Sequence, residues 1–469
     1  MQNQNASVFA GGLTLVTPII FTGVPAQCTL SVSPSSQPAD GNSPLALSAT
    51  VTDNSNQPVS DIQVIFSSTG AAQAFSGQNA ITTLLGLASS NLTSLYAGNN
   101  TLLAQAANVQ CSTQGTFSTR TPYCPGNPNY SVNSYAASGS PQGVAASDFN
   151  GDGKLDLVVT NYTSNNIGIF LGTGTGAFQT QVVYATGLRP YAVITGDFNG
   201  DGILDLATTN KLDSTLSVFF GTGMGTFQNQ RTYTTGRDPQ GLAIGDFNRD
   251  GSPDLAVANS TDNTLSIFFG TSTGQFEKSL IYPTGARPSG LTVGDFNGDG
   301  KQDLAVTHAF DNAFGVYLGT ATGAFQNPVT YATDSTPDGI TNGDFNGDGK
   351  QDMAVTSNNS KTLGVFLGTG TGAFQSRVTY AIGDTFRGIT IGDLNGDGNQ
   401  DLVVTNGSDN NLSVFLNTGT GTFQPQIIYG TGDTPMGVTV GDFNGDGKQD
   451  LAVAYANSNK LGIHITVCP

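Results

Sequence analysis

Residues 148–156 read DFNGDGKLD, and near-copies of this stretch return at a constant step of 49 residues. We call the nine-residue copies loop 1 to loop 7 in chain order; they begin at Asp148, Asp197, Asp246, Asp295, Asp344, Asp393 and Asp442. Each 49-residue unit also contains several short patterns typical of β-strands. A repeat of this length predicts a β-propeller with one blade per unit, and therefore seven blades.

Each loop carries oxygen-bearing side chains at positions 1, 3, 5 and 9. Hard cations such as calcium take this ligand set, and the backbone carbonyl of position 7 would complete it. Position 6 is Gly in every copy, which suits a sharp turn. The sequence predicts about seven calcium ions, one per blade, bound by Asp148, Asn150, Asp152, Lys154, Asp156, Asp197, Asn199, Asp201, Ile203, Asp205, Asp246, Asn248, Asp250, Ser252, Asp254, Asp295, Asn297, Asp299, Lys301, Asp303, Asp344, Asn346, Asp348, Lys350, Asp352, Asp393, Asn395, Asp397, Asn399, Asp401, Asp442, Asn444, Asp446, Lys448 and Asp450.

Two alternatives to this interpretation exist. An EF-hand shares the first six positions, but it needs a bidentate Glu at position 12 and two flanking helices. Position 12 is apolar here, for example Val159, and each loop runs into a β-branched strand sequence. A single loop could also be a turn rich in Asp, Asn and Gly that binds no metal. Seven copies with every ligand position filled favour a metal, and its recurrence around the ring favours a structural role.

The composition argues against two classes of partner. The 469 residues carry a formal net charge of −18 and have a sequence pI near 4.1, which disfavours nucleic acid and an anionic membrane surface. Only 11% of residues are charged, Gly numbers 62 and Trp is absent, a composition that indicates an exported β-protein. The chain contains no run of 18 or more apolar residues, so the sequence predicts no transmembrane helix.

The N-terminus and the cysteines bear on localisation. Residues 1–25 include the apolar run SVFAGGLTLVTPIIFTG, which lacks the basic start of a signal peptide. We expect a strand there, and that strand could pair with a neighbouring subunit to build a homo-oligomer.

Four cysteines fit an oxidising compartment. We expect Cys28 to pair with Cys111 and Cys124 with Cys468; the alternatives are the other pairings or four free thiols.

The segment 26–118 contains no copy of the repeat and predicts a small all-β domain. Strands are expected at Thr29–Val32, Leu45–Thr52 and Ile62–Phe66. The run LALSATVTDNSNQPVSDIQVIFSSTG, with SLYAGNNTLLAQA after it, resembles bacterial immunoglobulin-like domains of the invasin type. The resemblance implies a spacer or adhesive β-sandwich. The rest of the chain divides into a linker at 119–129 and the propeller at 130–469.

Aromatic landmarks keep the same 49-residue step. Tyrosines mark the fourth strand of each unit and phenylalanines follow a GTGTG-like turn: Tyr184, Tyr233, Tyr282, Tyr331, Tyr380, Tyr429, Phe178, Phe227, Phe276, Phe325, Phe374 and Phe423. We predict that they pack between adjacent blades. One step before Tyr184 lies Tyr135, while the last unit ends after three strands. The segment around Tyr135 is therefore predicted to close the ring as the outer strand of the seventh blade.

The loops together with FLGTGTGAF resemble the FG-GAP repeat of integrin alpha-subunit propellers and of bacterial FG-GAP/VCBS proteins. The resemblance covers nearly three quarters of the chain. It implies a seven-bladed propeller with calcium in the loop between the first two strands of each blade. The chain departs from integrins at position 3, where it has Asn throughout, and it has no von Willebrand-type insertion. Integrin ligand specificity is therefore not carried over.

Catalysis finds little support in the sequence. General acid and base chemistry needs positioned ionisable groups, and the chain has two His and one Glu. His308 and His464 lie in different units, and Glu277 follows a turn. The repeat-register residues Asp213, Asp262, Asp311 and Asp409 are explained by turns. We expect no enzyme, although a glycosidase pair drawn from these Asp residues stays open.

Recognition is the better-supported class of function. The segments that join successive blades differ from unit to unit, and variable loops on a rigid scaffold are common binding sites. Candidate ligand-binding residues on this face, opposite the calcium loops, are Arg189, Tyr191, Arg237, Arg287, Phe386, Arg387 and Met436. The alternative is that these Arg residues are solvated and only keep an acidic protein soluble.

Three functions are consistent with these observations. The first is a secreted or cell-surface calcium-binding adhesion protein that recognises a protein or a glycan. The second is a carbohydrate-binding lectin or a polysaccharide-acting enzyme, and the third is a structural subunit of an extracellular filament or surface layer.

Overall fold

A computed structural model describes residues 27–33, 36–38, 45–52, 63–69, 73–76, 79–81, 87–94, 98–106, 109–118, 127–277, 280–384 and 386–467. The chain divides into two compact units, Met1–Tyr123 and Cys124–Pro469. All regular elements in the described ranges are strands. In these ranges no helix has the length and apolar character to cross a membrane. The predicted N-terminal strand within residues 1–25 lies outside them.

The first unit is a β-sandwich. Its described strands are β1 (Gln27–Ser33), β2 (Ser36–Pro38), β3 (Leu45–Thr52), β4 (Gln63–Thr69), β5 (Gln73–Ser76), β6 (Asn79–Ile81), β7 (Leu87–Ser94), β8 (Gly98–Ala106) and β9 (Val109–Ser118). One sheet has the order β1-β3-β7-β5 and the other β2-β9-β8-β4-β6. Alternation along β3 buries Ala49 and Val51, as expected of a strand with one face in a core.

The predicted disulfides are not tested by this structure. Cys28 lies in β1 and Cys111 in β9, one strand from each sheet, and these two strands are in contact. The side chains of both residues, and the whole of Cys124 and Cys468, lie outside what the structure describes. The two pairings stay predictions.

The second unit begins with β10 (Asn129–Ala136) and continues with seven blades. Blade 1 contains β11 (Pro141–Ser147), β12 (Asp156–Asn161), β13 (Asn166–Phe170) and β14 (Val182–Ala185); blade 2 contains β15 (Pro190–Gly196), β16 (Asp205–Asn210), β17 (Thr215–Phe219) and β18 (Arg231–Thr234); blade 3 contains β19 (Pro239–Gly245), β20 (Asp254–Asn259), β21 (Thr264–Phe268) and β22 (Leu280–Pro283). Blade 4 contains β23 (Pro288–Gly294), β24 (Asp303–His308), β25 (Ala313–Tyr317) and β26 (Val329–Ala332); blade 5 contains β27 (Pro337–Gly343), β28 (Asp352–Ser357), β29 (Thr362–Phe366) and β30 (Val378–Ala381). Blade 6 contains β31 (Phe386–Gly392), β32 (Asp401–Asn406), β33 (Asn411–Phe415) and β34 (Ile427–Gly430), and blade 7 contains β35 (Pro435–Gly441), β36 (Asp450–Tyr455) and β37 (Lys460–Val467).

Each blade is an antiparallel four-stranded sheet, and in blades 1 to 6 the strands follow chain order from the axis outwards. The second strand, DLVVTN in blade 1, is buried along its whole length, because neighbouring blades cover both of its faces. The outermost strand, VVYA in blade 1, is mostly exposed. The loops of the 49-residue repeat join the first strand to the second. All loops therefore lie at the same end of the propeller, opposite the segments that join one blade to the next.

Ring closure follows the prediction made from Tyr135. β10 pairs antiparallel with β37, and Tyr135 lies opposite Leu461, so that the sheet of blade 7 has the order β10-β37-β36-β35. The first strand of the propeller in the chain is thus the last strand of the ring. This pairing covers the edge that β37 would otherwise expose.

The aromatic landmarks pack between blades, as predicted. The ring of Tyr184 in blade 1 meets Phe227 of blade 2 edge to face at 5.8 Å, and the Phe227 amide donates to the Tyr184 hydroxyl at 3.1 Å. The same pair recurs where the ring closes: the Phe178 amide donates to Tyr135 at 3.1 Å. Such edge-to-face pairs stabilise by about 1 kcal/mol beyond burial of their area.

Small residues bring the innermost strands together at the axis. A Cβ at Gly143 would lie 2.5 Å from the carbonyl oxygen of Tyr191 in the next blade, and one at Gly241 would lie 2.3 Å from that of Ser289. These contacts have no room for a side chain, which explains the glycines near the start of the first strands. Blade contact at the axis thus depends on backbone meeting backbone.

Candidate functional site

Position 1 of each loop anchors the loop backbone. In loop 1, Asp148 Oδ1 accepts hydrogen bonds from the amides of Gly151 at 2.8 Å and Asp152 at 3.2 Å, and Oδ2 accepts from Gly153 at 2.8 Å. Gly153 has φ 78°, a left-handed conformation that favours glycine. The chain therefore wraps around the first carboxylate.

Positions 3 and 5 form successive short turns. Asn150 Oδ1 accepts from the Asp152 amide at 2.9 Å, and Asp152 Oδ1 accepts from the Lys154 amide at 3.0 Å. Asn and Asp favour such turns, in which the side chain bonds a backbone amide two residues on. Each of these oxygens has a second lone pair, so these bonds are compatible with a cation.

Position 9 differs from the other three because its carboxylate is buried. Asp303 in loop 4 has no exposed surface; its Oδ2 accepts from the Phe296 amide at 2.9 Å and its Oδ1 from the Gly319 amide at 2.7 Å. Phe296 lies in the loop, while Gly319 follows the third strand of the blade. The carboxylate thus fixes the loop to its own sheet.

Burial also changes the acidity of position 9. Burial raises the pKa of Asp205 and Asp303 to about 6 and that of Asp401 to about 7, and the other two carboxylates of each loop act in the same direction. The backbone amides that bond these carboxylates act in the opposite direction but do not cancel the effect of burial. A bound dication would lower these pKa values, because it favours the ionised form.

Four loops are bonded directly to the next blade. The Phe149 carbonyl of loop 1 accepts from the Gly225 amide of blade 2 at 3.1 Å. The equivalent bonds join loop 4 to blade 5, loop 5 to blade 6 and loop 7 to blade 1, with distances of 2.8 to 2.9 Å. In blades 3 and 4 the matching amides, Gly274 and Gly323, bond within their own turns instead. Loop conformation and blade contact are therefore coupled at four of the seven loops.

The oxygen atoms of each loop are the type of ligand that a hard cation prefers. Three carboxylates, one amide oxygen and a backbone carbonyl supply oxygen only, the ligand type that calcium takes. Position 3 is Asn, and the carboxylate at position 9 already accepts hydrogen bonds from two backbone amides. The carboxylates of a loop therefore do not surround an ion by themselves. Consistent with this, no group of three His, Cys, Asp or Glu side chains within metal-binding reach is found in the described residues. The amide oxygen and the backbone carbonyl would have to contribute.

Six overlapping segments of the propeller match the FG-GAP-like repeat: 148–208, 204–257, 246–306, 295–355, 344–404 and 393–453. Together they cover more than half of the chain. The chain belongs to the FG-GAP-like repeat family. Residues 27–118 match the bacterial Ig-like domain (group 1). Both resemblances stated from the sequence are therefore confirmed, together with the all-β, seven-bladed fold.

Solved structures show the same fold at low sequence identity. BBS1N, solved in complex with ARL6DN, aligns with a TM-score of 0.53 and 13% identity over 73% of this chain and 97% of that one. A protein from Lactobacillus plantarum aligns with a TM-score of 0.50 and 15% identity over 72% of this chain and 94% of that one. No curated protein matches the chain. FG-GAP and bacterial Ig-like domains are common in extracellular proteins, and FG-GAP propellers are typically non-catalytic.

Three of the four arginines predicted to bind a ligand, Arg189, Arg237 and Arg287, lie at the end of this FG-GAP propeller opposite the loops, and each of the three contacts a partner near a blade corner. Arg237 Nε bonds Asp262 Oδ1 at 2.6 Å. The Arg189 guanidinium lies 5.4 Å from the ring centre of Tyr162. That of Arg287 lies 5.0 Å from the centre of the Phe310 ring. The three therefore do not converge on one site.

Two other predicted ligand residues, Tyr191 and Met436, line a cavity of 260 Å³ on the axis. The innermost strands of all seven blades contribute to it, and its lining also includes the polar residues Gln142, Gln240 and Asp338. The side chains of Phe386 and Arg387 lie outside what the structure describes. The structure thus divides the predicted set between separate blade corners and one central cavity.

The His and Asp residues that were considered for catalysis are buried or bonded within the fold. His464 is buried, its Nε2 lies 2.6 Å from the Tyr455 hydroxyl, and burial lowers its pKa to about 4. His308 is buried in blade 4, far along the chain from His464. Asp311 Oδ2 accepts the Ala286 amide at 2.7 Å. Asp213, Asp262 and Asp409 bond equivalent amides of the inter-blade segments, so these residues fix long-range connections and not only local turns.

Sequence reasoning missed the side chains at position 7. The sequence pattern assigns a role only to the backbone carbonyl of this position. In four loops the position-7 side chain is a lysine that forms an ion pair with the Asp at position 5. Recurrence of Lys in four of seven copies was the available signal.

Proposed function

We propose that the protein is an extracellular recognition module whose FG-GAP propeller binds one structural calcium ion in each loop. The observation that carries this proposal is the coupling of loop and blade. A loop such as loop 1 folds around its own carboxylates, and its Phe149 carbonyl bonds the turn of the next blade. A cation that orders the loop would therefore also stabilise the contact between blades.

The residues that would hold the ion are those at positions 1, 3, 5 and 9, with the carbonyl of position 7. The cation supplies positive charge to three carboxylates that otherwise repel one another. Position 9 already has a fixed orientation, because two amides hold its carboxylate. Calcium loss would leave the repulsion of three carboxylates per loop in a chain with a formal net charge of −18.

Substitution of a single exposed loop carboxylate tests the proposal. Asp299→Asn is expected to lower the calcium content from about seven ions per chain to about six, because position 5 of loop 4 loses its charged ligand. Asp303 is the wrong choice for this purpose, since its removal would orphan two buried amides at a cost of about 1–3 kcal/mol each. The measurement is elemental analysis after dialysis against calcium and removal of the free ion.

Asp311→Asn is the matched control for Asp299→Asn. It makes the same change of charge in the same blade, but Asp311 lies at the opposite end and bonds an inter-blade amide. It should retain the full calcium content. Equal calcium in the two variants, or no bound calcium in the unsubstituted protein, would contradict the proposal.

The axial cavity is the best-supported place for recognition. Its lining includes Tyr191, Gln142, Gln240 and Asp338, and a volume of 260 Å³ admits a ligand the size of a monosaccharide. Lys211 Nζ lies 4.4 Å from the centre of the Tyr191 ring, so a cation already covers one face of that ring. Sugars bind where an aromatic face and hydrogen-bonding side chains converge. A small sugar or other polyol is therefore the ligand class that this cavity favours, which supports the lectin alternative.

Removal of the Tyr191 ring tests this second function. Tyr191→Ala should abolish binding on a glycan array displayed to the calcium-loaded protein, because the aromatic wall of the cavity is lost. Tyr162→Ala removes an aromatic ring from the same face outside the cavity, where it faces Arg189, and should leave binding intact. Equal loss in both variants, or no glycan bound by the unsubstituted protein, would exclude the cavity as a sugar site.

A further inference from the structure

Position 7 divides the seven loops into two groups. Lysine occupies it in loops 1, 4, 5 and 7, where Nζ lies 3.2, 2.7, 2.9 and 3.4 Å from Oδ2 of the Asp at position 5. In loops 2, 3 and 6 position 7 is Ile203, Ser252 or Asn399. There Oδ2 of the same Asp accepts only the side-chain amide of position 3, at 2.9 Å in each loop.

Two of the lysines, Lys154 and Lys350, lie against a glycine of a turn in their own blade. A Cβ at Gly174 would lie 2.8 Å from Lys154 Cδ, and one at Gly370 would lie 2.8 Å from Lys350 Cδ. The methylene stem thus lies against the glycine of the neighbouring turn in the same blade, and the ammonium group ends at the carboxylate. Ile203 lies against Gly223 in the same way in blade 2. The position therefore accepts a lysine or an aliphatic side chain in the same space.

The same division appears in the contacts between blades. Loops 1, 4, 5 and 7 are those whose position-2 carbonyl bonds the turn of the next blade. Loops 2 and 3 lack this bond because the amides of Gly274 and Gly323 bond carbonyls of their own turns. Loop 6 lacks it because the described part of blade 7 has no turn between a third and a fourth strand. The lysine loops therefore have both the ion pair at position 5 and the position-2 bond to the next blade, and loops 2, 3 and 6 have neither of these two contacts.

We propose that the lysine is a built-in counter-ion that makes the loops unequal, so that loops 2, 3 and 6 bind calcium more tightly than loops 1, 4, 5 and 7. This inference rests on the proposed calcium binding. A dication entering a lysine loop must displace the ammonium from a ligand carboxylate or bind beside it, and like charges repel. Because these ion pairs are exposed and screened by solvent, the expected difference in dissociation constant between the two groups is at most about fivefold.

The two groups also differ in what happens without calcium. A lysine loop keeps one carboxylate neutralised and retains its bond to the next blade. Loops 2, 3 and 6 have no lysine at position 7 to pair with the Asp at position 5, and loop 3 has Arg249 at position 4. Blades 7 and 1, which meet at the ring closure, both carry lysine loops. Loops 7 and 1, at the ring closure, therefore stay ordered at calcium concentrations too low to fill them.

Calcium titration of the full chain against a fluorescent chelator tests the inequality. The unsubstituted protein should show three tighter and four weaker sites, separated by up to about fivefold. The variant that combines Lys154→Ile, Lys301→Ile, Lys350→Ile and Lys448→Ile should show one class of seven sites. The reciprocal single variant Ile203→Lys should convert one tight site to a weak one and needs no multiple substitution to fold.

A matched control comes from the same blade. Lys361 Nζ pairs with Asp384 Oδ2 at 2.8 Å at the end of blade 5 opposite loop 5. Because Lys361 has φ 53°, which Asn tolerates, Lys361→Asn removes one exposed ion pair without touching a loop. It should leave three tight and four weak sites. Amide hydrogen exchange in calcium-free buffer gives an independent measurement, in which loops 2, 3 and 6 should exchange faster than the lysine loops.

The outcomes separate this inference from the proposed function. Seven equivalent sites in the unsubstituted protein, or an unchanged pattern of classes in both the quadruple and the Ile203→Lys variants, would overturn the inequality and leave structural calcium standing. Absence of any calcium binding would overturn both.

Discussion

The calcium-free protein is expected to melt about 10 °C below the calcium-loaded protein. At millimolar calcium, sites with dissociation constants of about 0.1–1 mM each add roughly 1 kcal/mol to the free energy of unfolding. Seven such sites would add as much as many domains possess in total. Divided by the unfolding entropy of a propeller of this size, that energy gives the expected shift. Calorimetry in calcium and in a chelator measures it directly.

The size of this shift should depend on pH. In the calcium-free fold, burial raises the pKa of position-9 carboxyls such as Asp205 and Asp303 to about 6, above the unfolded value of about 3.9. Such a group stabilises the fold most below its unfolded pKa, and this contribution is lost as the pH rises through about 6. Calcium binding needs the ionised carboxylates and improves over the same range. The difference between the two melting temperatures should therefore grow from pH 5 to pH 7.5.

Re-addition of calcium is the control for this experiment. It should restore the higher melting temperature, whereas the same ionic strength of a monovalent salt should not. An identical melt in calcium and in chelator at pH 7.5 would refute a structural role for the ion. A difference that shrinks with rising pH would refute the assignment of position 9 as a ligand.

Removal of the closing strand is expected to destabilise the propeller by on the order of 5 kcal/mol. A chain that begins at Ala137 lacks β10, so it loses the eight-residue pairing with β37 and the edge-to-face contacts of Tyr130 with Tyr429 and of Tyr135 with Phe178. Tyr130 and Tyr135 are half-buried, so each contributes less than the roughly 1.5–3 kcal/mol of a fully buried aromatic, and each lost hydrogen bond costs about 1 kcal/mol. The exposed edge of β37 should also promote self-association.

A chain that begins at Asn127 is the matched comparison. It lacks the Ig-like domain in the same way but keeps β10, and it should melt cooperatively as a monomer. Thermal unfolding followed by circular dichroism, with size-exclusion chromatography before heating, distinguishes the two chains. If both melt at the same temperature and elute alike, β10 does not hold the ring closed.

Much of the fold could be predicted because a repeat is a one-dimensional property. The 49-residue step of the Asp loops sets the number of blades, and the position of Tyr135 one step before Tyr184 predicts which strand closes the ring. Alternating β-branched segments predict the strands within each unit. None of this needs knowledge of which residues meet in space, since every unit repeats the same local pattern.

Position 7 shows where such reasoning stops. Along the chain, Lys recurs at position 7 in four loops and Ile203 stands there in loop 2, but the pattern does not tell what the lysine contacts. In the structure a glycine of a neighbouring turn directs the Lys154 side chain to Asp152, and the ion pair follows from that direction. The difference depends on residues about twenty positions away in the chain.

The sequence by itself determined the architecture of this protein: seven blades, their strands, the chemistry of the Asp loops and the strand that closes the ring. Only the tertiary structure decided which charges are already paired, which carboxylates are anchored by amides from another strand, and that Tyr191 and Met436 share a cavity while Arg237 pairs with Asp262. The physical reason is the separation along the chain of the residues that interact. Strand and loop formation depend on near neighbours and on periodicity, whereas pairing and burial depend on distances between blades that no local pattern encodes.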